Sequence, residues 1–251
     1  MMKYSWKSKI YTFLSCIFFI GLWQASAIII NNDIYIPRIG QVIETIKGIF
    51  NEPGSFRVII SSFYRTTLSY VLALVFSIVL GVLGMVYPFF KYLMEPINSF
   101  SKTIPTMVLV VLSLVWFDKD KTPFVVGFAI IFPILYEGIR NNLINIDKKI
   151  IDMTKIYEVS LIDKIRKIYI PVIKFYFMSI FVSTFSLTFK VVIAGEVYGQ
   201  PKFGIGSQIQ IEKVNFNTSG IFAWIVIIVI ISLLLEILNK ALRQKIYRWA
   251  K

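Results

Sequence analysis

A chain of 251 residues that is 57% hydrophobic and only 16% charged, with a mean hydropathy of +0.72, carries more apolar surface than a soluble core can hide, since soluble domains are about a quarter charged. The absence of histidine and the presence of a single cysteine, Cys16, exclude histidine-built zinc sites, Ser-His-Asp and Cys-His catalysis and any intrachain disulfide. The net charge of +13 is not a nucleic-acid footprint. Its basic residues cluster at Lys3, Lys7 and Lys9, from Arg140 to Lys174, and from Lys240 to Lys251, each time beside an apolar run.

The first apolar run, residues 10–30, is as long as a spanning helix requires and longer than the core of a signal peptide. An uncleaved helix is expected there, with Ala25-Ser26-Ala27 as the rival cleavage site. Residues 31–57 are more polar and are broken by Pro37, Pro53 and Gly54. Within them Val42, Ile43, Ile46, Ile49 and Phe50 recur at helical spacing. That pattern predicts a short amphipathic helix on the non-cytoplasmic side, either functional or an ordinary packed connector.

Further spans are predicted at 66–86, 97–116, 123–139 (containing Pro133), 171–193 and 222–238, with the polar loop Asp118-Lys119-Asp120-Lys121 after the third. The expected fold is therefore an all-α integral membrane protein with six transmembrane helices and both termini on one side. Placing the N-terminus in the cytoplasm puts 17 of the 27 Lys and Arg residues inside, 8 of them between Arg140 and Lys174, as the positive-inside rule requires. The linear organisation reads as an N-terminal helix with an external segment over 1–57, a core over 58–240, and a basic cytoplasmic tail over 241–251.

Between the fourth and fifth spans lies DKKIIDMTKIYEVSLIDKIRKIYIP, residues 147–171. Ile150, Met153, Ile156 and Tyr157 share one helical face, with Lys149, Asp152 and Lys155 mostly opposite. Asp147 is placed to cap this helix. Ser160-Leu161-Ile162-Asp163 has capping-box spacing with Asp in place of Glu or Gln, so a second helix is predicted from Ser160, and Pro171 suits the first turn of the next span. By its residues alone the segment is a helix, a tight turn and a helix against the membrane face, which an anchoring role would also satisfy.

Ionisable residues in or beside spans mark either a pathway or a buried pair. Glu137 and Glu236 lie near helix ends, from which they can reach water. Arg65, Lys190 and Glu196 lie near the outer ends of spans, where both readings stay open: attraction of an anionic substrate, or a structural ion pair. No Gly-x-x-x-x-Gly-Lys-[Ser/Thr] phosphate loop occurs, so no ATPase chemistry is expected, and no catalytic residue, metal or cofactor is predicted.

The 147–171 segment resembles the coupling loop of ABC-transporter permeases, whose pattern is Glu-Ala-Ala, three residues, Gly, and later Leu-Pro or Ile-Pro. Asp152 matches the acidic position, Met153 and Thr154 the alanines, Glu158 the glycine, Ser160 the small polar residue that follows, and Ile170-Pro171 the closing pair. The glycine is lost. If the turn needs a left-handed backbone, Glu158 costs about 1–2 kcal/mol there; otherwise the turn is built differently.

Other segments carry the same resemblance. They are Ser61-Ser62-Phe63-Tyr64-Arg65, Ile104-Pro105 with Val115-Trp116-Phe117, Phe132-Pro133-Ile134 with Gly138-Ile139-Arg140, Ala194-Gly195-Glu196-Val197, Phe203-Gly204-Ile205-Gly206, and the region of Pro37. The likeness covers residues 37–249 and is strongest with the nitrate, sulfonate and taurine branch of binding-protein-dependent permeases. It implies a type I importer fold in a bacterial inner membrane, pairing as a homodimer. It also implies separate ATPase subunits docked on a coupling helix through Asp152, Met153, Lys155, Ile156 and Tyr157. A substrate-binding protein would dock near Gly204 and Gly206, delivering a small anionic or nitrogen- or sulfur-containing nutrient. A secondary transporter or channel is the alternative, against which stands the lack of an internal repeat.

Overall fold

A computed structural model describes residues 6–246. The lysine at position 3 and the basic residues at 248 and 251 of the expected tail lie outside the described residues. Among the described residues the elements are α1 (Trp6–Ile30), α2 (Ile39–Asn51), α3 (Ser55–Val86), α4 (Pro88–Thr103), α5 (Thr106–Trp116), α6 (Thr122–Ile144), α7 (Lys148–Ile156), α8 (Leu161–Lys164), a π-turn (Ile165–Tyr169), α9 (Ile170–Gly199), α10 (Ile205–Val214) and α11 (Thr218–Ile246). Five helical stretches among the described residues are long and apolar enough to cross a bilayer, six if α4 and α5 count together. The chain is an all-helical, multi-pass membrane protein.

Two compact units form. One comprises Met1–Phe56 and Gln208–Ile230, the other Arg57–Ser207 and Ile231–Lys251. The first therefore takes in 208–230, which the linear division at residue 57 had left in the core. In this unit the indole of Trp23 donates to the Pro37 carbonyl at 3.1 Å, and the Gln24 side chain accepts from the Ile39 N–H at 3.1 Å. These bonds fix the corner between α1 and α2. The predicted amphipathic helix is present, and it buries Val42 and Ile49 while Ile43 and Phe50 stay exposed.

In the second unit, register gives the direction of each helix. Ser69 and Ser77 of α3 donate to the carbonyls of Phe124 and Phe132 of α6. Equal steps along both helices mean that α3 and α6 run parallel. The chain between them must return to the end where α3 began, so α4 and α5 together make a net crossing. That crossing is not the straight span expected over 97–116. It starts at Pro88 and bends by 106° between α4 and α5. The cause is local: Pro105 forces Ile104 out of the helical region, to φ −73°, ψ 123°.

Helix α9 runs antiparallel to both. Its seam with α6 is closed by small residues: a Cβ on Gly127 would stand 2.7 Å from Val192, and one on Gly195 2.9 Å from the Pro123 Cα. Tyr70, Ala73, Ile131, Leu135 and Phe185 form the mid-depth core, where the Tyr70 and Thr184 hydroxyls meet at 2.7 Å. Toward one end Ile139, Leu143, Tyr169 and Ile173 form a second cluster. No loop separates α8 from the next span, contrary to the expectation of a fresh helix start at Pro171. The Ile170 N–H reaches back five residues to the Ile165 carbonyl. This wider turn accommodates Pro171, which can neither donate to a preceding carbonyl nor avoid it in a regular helix.

Candidate functional site

The antiparallel register places the functional residues at two opposite ends of the second unit. At one end α3 and α6 finish and α9 begins, joined by residues 147–160. At the other end lie the first turns of α3, the 118–121 loop, the end of α9, the 200–204 loop and the start of α10. A 30-residue α9 separates them by about 45 Å.

The first end is built on α7. Asp147 caps it as expected, its carboxylate accepting the Lys149 N–H at 2.9 Å. The helix is fastened by Ile151, which joins the cluster of Leu143, Tyr169 and Ile173, and by buried Thr154, whose hydroxyl donates to the Ile151 carbonyl. The face predicted from periodicity points away from that anchor. Ile156 and Tyr157 are 78% and 75% exposed, and Met153 and Ile150 are exposed beside them. Asp152 and Lys155 pair with each other at 3.1 Å on the rim.

The helix stops in a left-handed turn. Glu158 has φ +46°, and around it the Val159 N–H donates to the Thr154 carbonyl at 2.9 Å and the Glu158 N–H to the Lys155 carbonyl at 3.2 Å. This is the Schellman closure that normally uses glycine. Of the two possibilities left by the missing glycine, the turn is kept and the strain is carried by a glutamate. Ser160 then caps α8, accepting the Asp163 N–H at 3.1 Å. The return half of the predicted box is replaced: the shorter Asp163 carboxylate takes the Ser160 hydroxyl at 3.0 Å and the Lys167 ammonium at 2.8 Å. Pro171 sits one residue into α9, just beyond the π-turn.

The opposite end holds a closed polar knot. Glu196 is fully buried, and its carboxylate accepts from the Ser62 hydroxyl at 2.7 Å, the Arg65 guanidinium at 2.9 Å and the Gly206 N–H at 3.1 Å. Ser62 Oγ in turn accepts the Ile205 N–H at 2.8 Å. Arg65 also donates to the carbonyls of Phe203 and Asp120 and pairs with the Asp120 carboxylate at 3.6 Å. Four chain segments are thereby tied around the Arg65 and Glu196 side chains. Gly204 and Gly206 are packing elements of this knot: a Cβ on the first would meet the Glu196 carboxylate at 2.7 Å, and one on the second the Ile193 carbonyl at 2.3 Å. Lys190 is exposed and takes no part.

Beside the knot a cleft of about 700 Å³ is lined by Arg57, Ser61, Tyr64, Arg65, Asp120, Lys121 and Phe124. Glu137 is partly exposed and pairs with Lys102, and Arg140 pairs with Glu95 at 3.2 Å, so α4 and α6 are pinned by two ion pairs. Sequence reasoning missed Ser62 and Asp120 as partners of the knot. The Ser62–Arg65 spacing, which puts both on one face of α3, was the available signal.

The chain is similar in sequence to known transport proteins. The sequence model of the family described as binding-protein-dependent transport system inner membrane component matches residues 73–248. A Bacillus subtilis (strain 168) protein named as an aliphatic sulfonates transport permease, SsuC, is 20% identical over 233 residues, covering 92% of this chain and 84% of that protein. A Methanocaldococcus jannaschii protein named as an ABC transporter permease, MJ0413, is 24% identical over 236 residues, covering 92% and 88% respectively.

Proposed function

Because the chain belongs to the family of binding-protein-dependent transport system inner membrane components, and so is the membrane permease subunit of an ABC importer, we propose that its 147–160 end receives a separate ATP-binding subunit. The uncovered apolar knob of Met153, Ile156 and Tyr157 carries this reading. Apolar side chains held outward on a helix whose other face is fastened by Ile151 and Thr154 are suited to a groove in a partner. Asp152 and Lys155 stand at the rim of that contact.

Movement of the docked helix passes through Ile151 to the ends of α6 and α9, and along α9 to the Arg65–Glu196 knot. In this orientation the 147–160 loop and both termini are cytoplasmic in a bacterial inner membrane. The knot end faces outward, where an extracytoplasmic binding protein docks beside exposed Lys202. The buried Gly204 and Gly206 hold the docking loop in place beneath that surface. Two copies of the chain form the pathway, and energy comes from the ATPase subunits.

The cargo is a small anion, with an aliphatic sulfonate favoured by the name of the Bacillus subtilis relative. The outer cleft is consistent with this: Glu196 neutralises Arg65 and Asp118 pairs with Lys121, and Arg57, stacked on Phe203, enters no ion pair among the described residues.

The test is uncoupling. Ile156→Asp removes an apolar anchor worth about 2 kcal/mol, roughly thirtyfold in ATPase affinity. Membrane insertion should persist while ATP-driven uptake is lost, and Asp152→Lys should act in the same direction. Normal uptake by the Ile156→Asp protein contradicts the assignment.

A further inference from the structure

A second cavity, of about 400 Å³, opens at the coupling-loop end of the same unit. Its walls are the last turn of α3 (Gly84, Met85, Val86), the first turns of α4 (Pro88, Lys91, Tyr92) and the last turns of α6 (Arg140, Ile144). The charges facing it can be enumerated. Arg140 is engaged on one side by Glu95 at 3.2 Å. Glu137, one turn earlier on α6, is neutralised by Lys102. Among the described residues Lys91 enters no ion pair, and its ammonium lies 5.3 Å from the centroid of the Tyr92 ring. The cavity therefore presents one net positive charge, shared between an ammonium and a guanidinium with free donors.

Its surroundings are those of a membrane boundary. Tyr92 lines it, and Tyr87 and Phe89, on either side of the lining Pro88 in sequence, are exposed, as aromatic rings at the headgroup level are. Met85, Val86 and Ile144 give it an apolar wall that continues along the spans. A single net positive charge matches a singly charged phosphodiester better than a polyphosphate, and an apolar wall has no use for a free inorganic ion.

We propose that this cavity binds the phosphate of an anionic phospholipid headgroup from the inner leaflet. Lys91 and Arg140 hold the phosphate, and the acyl chains lie along Met85, Val86 and Ile144. The leaflet assignment rests on the orientation proposed above. Ile144 ends α6 three residues before Asp147, the cap of the coupling helix. A lipid seated here braces the entry to that helix, so coupled ATP hydrolysis should rise with the anionic-lipid content of the bilayer.

The experiment uses the permease with its ATPase in nanodiscs of phosphatidylglycerol and phosphatidylcholine, with retained lipid read by native mass spectrometry. The wild-type complex should retain phosphatidylglycerol preferentially. Lys91→Gln should reduce that retention about fivefold, and Lys91→Arg should restore it. Equal retention by Lys91→Gln and wild type overturns the proposal. Displacement of the lipid by millimolar inorganic phosphate alone identifies a free-phosphate site and overturns it as well. Both faces of a nanodisc are alike, so retention reads the cavity regardless of orientation. An inverted orientation shows only in side-specific thiol labelling of the 147–160 loop.

Discussion

Arg65 and Glu196 meet at 2.9 Å although 131 residues apart in sequence, and the carboxylate they share has no exposed surface. A buried pair of this kind is not in itself strong evidence of stability, but breaking it by removing one partner leaves an uncompensated charge. Arg65→Ala should lower the stability of the detergent-solubilised permease by about 3–5 kcal/mol. Asp120→Asn, at a longer and more exposed contact, should cost under about 1 kcal/mol. Thermal unfolding of the two variants gives the comparison.

The turn after the coupling helix stores strain in one residue. Glu158 sits at φ +46° where the hydrogen-bonding pattern calls for glycine. Glu158→Gly should therefore stabilise the permease by about 1 kcal/mol and leave uptake intact, while Glu158→Val should destabilise it. Melting temperature and transport rate measured on the same preparations test both halves.

Gly206 and Gly40 make a matched pair. A methyl group on Gly206 would collide with the backbone at Ile193 and Val197, whereas nothing lies within 4 Å of one on Gly40, inside α2. Gly206→Ala should cost about 1–3 kcal/mol. Gly40→Ala should be neutral or stabilise by up to about 1 kcal/mol. Unfolding midpoints of the two single variants are sufficient to compare them.

The two ion pairs between α4 and α6 predict charge-swap behaviour. Glu137→Lys places two cations together and should reduce stability, and adding Lys102→Glu should restore it. The coupling energy from this double-mutant cycle should be about 0.5–1 kcal/mol, since both side chains are partly exposed.

Much of this molecule was legible in its sequence because a bilayer simplifies the problem. Runs of about 20 apolar residues define spans, and the caps of α7 at Asp147 and of α8 at Ser160 are local signals. The bend at Ile104-Pro105 was not foreseen, because an apolar count over 97–116 is indifferent to direction; the proline was visible, its 106° consequence was not. The π-turn before Pro171 escaped for a similar reason, since a proline can open a helix or be absorbed by a wider turn. The left-handed Glu158 was posed as an alternative by the lost glycine. Arg65, Lys190 and Glu196 could not be sorted by position along the spans. Only the parallel course of α3 with α6 and the antiparallel course of α9 bring Arg65, rather than Lys190, to Glu196.

The central claim is that the Met153–Tyr157 knob faces the cytoplasm and is covered by the ATPase. In a Cys16→Ser background, Ile156→Cys provides a single thiol at the most exposed point of the knob. A membrane-impermeant maleimide should label it in inverted vesicles but not in intact cells, and the bound ATPase should protect it. Labelling in intact cells, or labelling undiminished by the ATPase, contradicts the account.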